Sequence, residues 1–169
     1  MKQAFLYSGL IISLLFAWPS QAHKFSTSWV QMSSGADHPA EFDWSWLLAE
    51  HDLAVLAPFM MDNTGRLLDA DALLAQQVPF NNVINDMLQF NVDCPLEVLP
   101  VVHVVREVYA GQQSVRIYGH AGCPLASLQQ VRVAQLFDKL KDHKVIVELT
   151  DTAERSVLSQ SKTQWQLAE

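Results

Sequence analysis

The apolar residues of this chain change their spacing twice, and that alternation restricts the fold more than any single motif does. Phe25, Thr27 and Trp29 alternate with Lys24, Ser26 and Ser28; after a polar turn over 33–39, Phe42, Trp44 and Trp46 alternate with Glu41, Asp43 and Ser45. Successive side chains on a strand point to opposite faces, so each run predicts a strand with one face inside, the two pairing across the turn. Over 50–91 the period of two disappears, and Leu53, Leu56, Leu73, Leu74, Val83, Ile84, Met87 and Leu88 recur at helical spacing. Asp69 is expected to cap one short helix and Asn81 or Asn82 another, with Pro79 forcing a break between them. Strand patterning resumes over 96–109, 114–120, 127–137, 144–151 and, with an interruption, 156–167. Gly111 marks the first of these turns, and 139–143 forms a polar connection. The expected architecture is α+β, an antiparallel, sandwich-like β-sheet with a helical insertion between strands two and three. Period-two placement assigns Trp29, Trp44 and Trp46 to the core in preference to an exposed aromatic patch. His103, among valines, reads as a packed strand residue, while His38 and His143 fall in polar turns and read as solvated.

Ahead of the first strand stands a leader: basic Lys2, an apolar run over 4–18, and small residues at Ser20 and Ala22. This is the pattern of a secretory signal, with cleavage expected after Ala22. Ser8, Gly9 and Ser13 interrupt the run and Pro19 ends it, short of the ~20 apolar residues a spanning helix needs. The expectation is a signal peptide over 1–22 and a single soluble extracytoplasmic domain over 23–169, periplasmic or secreted and not membrane-spanning after cleavage. Removing the leader takes Lys2 and no acid, turning the formal charge of −7 into −8. That charge argues against nucleic acid or an anionic membrane surface as partner. Cys94 and Cys123 are the two cysteines, each followed by proline. An oxidising compartment favours one disulfide between them. The rival reading makes them metal-binding thiolates, with His120 and Cys123 at H-x-x-C spacing but no second close pair.

The segment His23-Lys24-Phe25-Ser26-Thr27-Ser28-Trp29 resembles the opening of exported N-terminal domains of HupE/UreJ-type membrane proteins. Further likenesses follow in order: the strand over 42–48, the step Glu50-His51-Asp52-Leu53, the glycine loop over 62–67, the two cysteines, and Arg155-Ser156-Val157-Leu158-Ser159. Proteins of that type continue into a bundle of membrane helices and have been linked to uptake of nickel or other metals; this sequence ends at Glu169, without the transmembrane part. The resemblance therefore implies a periplasmic binding or accessory role, with metal handling as one form of it and an envelope or membrane protein as partner. The alternative is a protein-interaction or envelope structural module with no ligand.

No cofactor is assigned outright; a divalent ion, copper, nickel or calcium, is the candidate. Relatives of the type carry a loop similar to an EF-hand, and Gly65 in its sixth place puts Met60 first, Asp62 third, Thr64 fifth, Leu67 eighth and Asp71 twelfth. Asp62, Thr64 and Asp71 are then the candidate ligands, too few for tight calcium binding, so a purely structural turn is favoured. Cleavage after Ala22 would give His23 an amine and an imidazole that together suit Cu(II), with His51, His103 or His120 as further donors; a plain polar terminus is the simpler reading. Ser159-Gln160-Ser161-Lys162 matches S-x-x-K without its companion motifs, and no nucleophile elbow, phosphate loop, dinucleotide fingerprint or H-E-x-x-H occurs. Neither the Glu41 and Asp43 pair nor the Asp69 and Asp71 pair suggests more than a solvated face or a cap. An enzyme is not expected.

Overall fold

The computed structural model describes residues 26–36, 40–94, 101–133 and 135–167. The leader, His23, Phe25, His38 and the start of the strand expected from 96 lie outside these residues. β1 (Thr27–Ser34) and β2 (Phe42–Ala49) pair antiparallel, with Trp29 opposite Leu47 and Ser34 opposite Phe42. β2 buries Phe42, Trp44 and Trp46, as its alternation predicts. β1 turns its other face inward: Ser28, Val30 and Met32 are buried, while Trp29 is half-buried on the opposite side. The core placement expected for Trp29 is thereby corrected. Parity along a strand is collective, and burying Val30 and Met32 in place of Gln31 and Ser33 outweighs one tryptophan. That tryptophan keeps its indole N–H on Glu148, 3.1 Å away.

β2 runs directly into α1 (Glu50–Leu56), followed by a 3-10 turn (Pro58–Met60), α2 (Ala70–Ala75) and α3 (Gln77–Met87). Asp69 caps α2 as expected, accepting the Ala72 N–H at 2.9 Å. Pro79 breaks nothing. It occupies the first turn of α3, where backbone N–H groups have no intrahelical partner to lose, and Asn81 and Asn82 lie inside that helix instead of capping one. β3 (Gln89–Val92) follows at once, within the stretch read as helical, because four residues are too few to display a period.

β4 (Val101–Tyr109) and β5 (Gln112–Ala121) make a hairpin around Ala110 and Gly111, whose φ values of 51 and 77 define the mirror-image two-residue turn that suits twisted strands. β6 (Leu128–Arg132) stops short of the strand expected to reach 137; the buried Leu136 and Phe137 belong to α4 (Leu136–Lys139). β7 (Lys144–Leu149), β8 (Glu154–Leu158) and β9 (Gln164–Gln166) complete the order. His103 stands on β4 but is exposed, its ring 6.2 Å from that of Tyr118, which corrects its reading as a packed residue.

One sheet has six strands in the order β4-β5-β2-β1-β7-β8, the other three in the order β3-β6-β9. Pairing is antiparallel with one exception: β1 and β7 run parallel, a pairing that needs a long crossover and here closes one around most of the chain. The sheets meet through aromatic edges, Phe90 of β3 standing 5.5 Å from Phe42 and 6.2 Å from Trp44 of β2. Cys94 and Cys123 are joined in a disulfide, with Cα atoms 6.4 Å apart. The bond lies just past β3 at one end and just past β5 at the other, so it ties the two sheets covalently. It suits an oxidising, non-cytoplasmic environment, and it sets aside the thiolate-ligand reading. Among the described residues no helix is long and apolar enough to cross a membrane.

Candidate functional site

Three neighbouring segments bring a polar cluster into the interior at one end of the large sheet. Ser26 and Ser28 share the inward face at the start of β1, His143 immediately precedes β7, and Asp52 sits in the first turn of α1. The parallel pairing of β1 with β7 sets the first two side by side, with Lys144 N–H bonded to the Ser26 carbonyl at 3.0 Å. Ser28, Asp52 and His143 are each at most 2% exposed. His143, read from the sequence as solvated, is therefore corrected: its turn is polar, but its ring is turned inward beneath β1.

Donor bookkeeping gives the proton arrangement. The Ser26 hydroxyl donates to Asp52 Oδ2, so it accepts from His143 Nδ1–H at 2.7 Å. Nε2 of His143 then accepts from the Ser28 hydroxyl at 2.8 Å. His51 continues the cluster outward, its Nε2 lying 3.3 Å from Asp52 Oδ1 as an ion-pair contact while Nδ1 accepts from Gln112 Nε2, also at 3.3 Å. Burial holds the His143 imidazole below its ordinary protonation range, the Asp52 carboxylate pulls the other way, and His51 lowers it further.

Beside this cluster, on the outer face of the sheet, lies a cavity of about 240 Å³. Trp29, Leu47 and Ile146 stand in register across β1, β2 and β7 and line it, with His51, Tyr109 and Gln112 around them. His51 belongs to both cavity and cluster. A buried histidine and carboxylate next to a partly enclosed apolar space is an arrangement that marks binding sites.

The residues singled out from the sequence lie elsewhere. Asp62 and Thr64 stand together in the glycine loop, where Asp62 Oδ1 accepts from Thr64 N–H at 2.7 Å, Thr64 Oγ1–H at 2.6 Å and Arg66 N–H at 3.0 Å. These bonds, the Thr64 hydroxyl foremost, hold the Asp62 carboxyl below its usual range. Oδ1 of Asp62 thus serves the turn, with Gly65 at a φ of 77 closing it. Asp71 lies in the first turn of α2 and lines a separate groove of about 320 Å³ with His103, Leu73 and Phe80. Among the described residues no three His, Cys, Asp or Glu side chains gather at cation-binding spacing. Ser159 and Lys162 exchange backbone hydrogen bonds of 2.9 Å in a tight turn, and Lys162 Nζ donates to Ser156 at 2.8 Å.

Of the quartet Glu50-His51-Asp52-Leu53, Glu50 accepts from Leu67 N–H at 2.8 Å and Arg106 Nε at 3.2 Å, and Leu53 is in the core. Sequence reading did not single out Ser26, Ser28, Asp52 or His143 as a group, and no linear spacing could have: Ser26 and His143 are 117 residues apart. Comparison with protein families and with curated proteins finds no match to this chain.

Proposed function

We propose that this chain is an extracytoplasmic binding or accessory domain whose ligand seat is the cavity over Trp29. The observation that carries the reading is the junction at His51, where an apolar recess meets a buried Asp52–His143 cluster bridged by Ser26. A ligand touching His51 meets a ring whose Nε2 lies 3.3 Å from the buried Asp52. The disulfide and the likeness of the segment over 23–29 to HupE/UreJ-type exported domains support an extracytoplasmic address. NMR screening of a small-fragment library against the protein tests the reading: amide shifts are expected to concentrate at Trp29, His51 and Gln112. Shifts scattered over the surface, or confined to the groove beside Phe80, would leave an interaction module without a ligand. The intact mass of the exported protein tests the address, since it should lack the first 22 residues and carry oxidised cysteines.

Metal handling is the second reading, favoured by topology. Ser26 and His51 both line the recess, and His23 precedes Ser26 by three residues in the sequence, a length of chain that spans at most ~11 Å when fully extended. His51 would have to release Gln112 to ligate copper or nickel. Calorimetric titration with Cu(II) should give stoichiometric binding that is lost in both His23→Ala and His51→Ala; indifference to either substitution removes this reading.

A further inference from the structure

We infer that the cavity over Trp29 takes an uncharged, mainly apolar molecule of about two fused rings, a ligand class that rests on the binding reading above and narrows it. Among the described residues no Asp, Glu, Lys or Arg lines the cavity. A charged ligand would lose its hydration there without meeting an opposite charge, a cost of several kcal/mol for an unpaired ion. An anion would also face the Asp52 carboxylate behind His51, whereas a cation finds that carboxylate buried and already engaged by Ser26 and His51. The Trp29 indole N–H is committed to Glu148, so what this side chain offers the cavity is apolar ring surface, continued by Leu47 and Ile146 in the same register. A ring stacked on an indole face makes close contact without leaving voids.

Size narrows the class further. A dry protein cavity of about 150 Å³ holds benzene, and the recess here is about 240 Å³, enough for a second fused ring. Polar side chains line the recess as well, Ser26, Thr27 and Ser28 from the β1 side and His51, Tyr109, Gln112 and Ser114 besides. Gln112 uses one amide N–H on His51 and keeps its carbonyl oxygen, and the Tyr109 hydroxyl has no partner among the described residues. A donor on the ligand is therefore matched.

Titration of the whole protein with indole, indole-3-acetate and tryptamine, followed by calorimetry, separates the possibilities. Indole is expected to bind saturably and about tenfold or more tighter than its anionic and cationic relatives, a factor worth about 1.4 kcal/mol. Trp29→Ala and Tyr109→Ala should each weaken indole by a similar factor, and Tyr109, half-exposed at the hairpin end, can be removed without disturbing the core. Equal or tighter binding of indole-3-acetate or tryptamine overturns the uncharged class while the cavity remains a binding site. Indole binding unchanged by both substitutions, or absent while other fragments still shift Trp29 and His51, overturns the inference. Failure of every fragment to reach those residues instead removes the binding reading on which it rests.

Discussion

Both ring nitrogens of His143 meet serine hydroxyls in the interior, Ser26 at Nδ1 and Ser28 at Nε2. Its protonation range is lowered chiefly by burial, so the unfolded chain takes up a proton near the ordinary value of 6.5 while the folded chain resists. The stabilisation is complete above that value and declines as the pH falls below it. Denaturant midpoints measured from pH 7.5 to 5 should therefore drop on the acid side, and His143→Gln should flatten that drop; an unchanged slope in the variant would remove the assignment. Ser28→Ala withdraws the donor to Nε2 and leaves a buried acceptor unmatched, which should cost about 1–3 kcal/mol in chemical denaturation. A cost near zero would mean that the ring turns to another donor.

Elements follow their local signals except where a few residues must settle a collective choice. β1 shows this, since its first residues alternate in one phase and its last in the other, and the deeper Val30 and Met32 decide. α3 shows the converse, because Pro79 disrupts a helix interior but is harmless in its first turn. The hairpin between β4 and β5 holds Ala110 at a φ of 51, where a Cβ is unfavourable and asparagine is tolerated. Ala110→Asn, creating the Asn-Gly pair that this turn prefers, should raise stability by about 1 kcal/mol. A lowered thermal midpoint would mean that the turn is held by something other than its own backbone preference.

At the scale of the whole molecule, the disulfide and the parallel pairing of β1 with β7 hold distant parts of the chain together. The bridge closes a loop over a separation of 29 residues, and replacing both cysteines by serine should destabilise the protein by roughly 3–4 kcal/mol on the loop-entropy account. A loss well under 1 kcal/mol would mean that the packed core shared by the two sheets, Phe42, Trp44 and Phe90 among it, holds them together without the bridge. What could be read from the chain is what neighbours in sequence decide: the strand and helix periods, the Asp69 cap, the Gly111 turn, the burial of Trp44 and Trp46, and the pairing of the two cysteines. These follow from backbone geometry, solvent exclusion and redox chemistry, all of which act over a few residues or on residue type. Tertiary structure alone decided which face of β1 lies inside, that β7 runs beside it in the same direction, and that His143 meets Ser26, Ser28 and Asp52. Those outcomes depend on packing between segments far apart in the chain, 117 residues for Ser26 and His143, and local pattern carries no record of which partner each will meet.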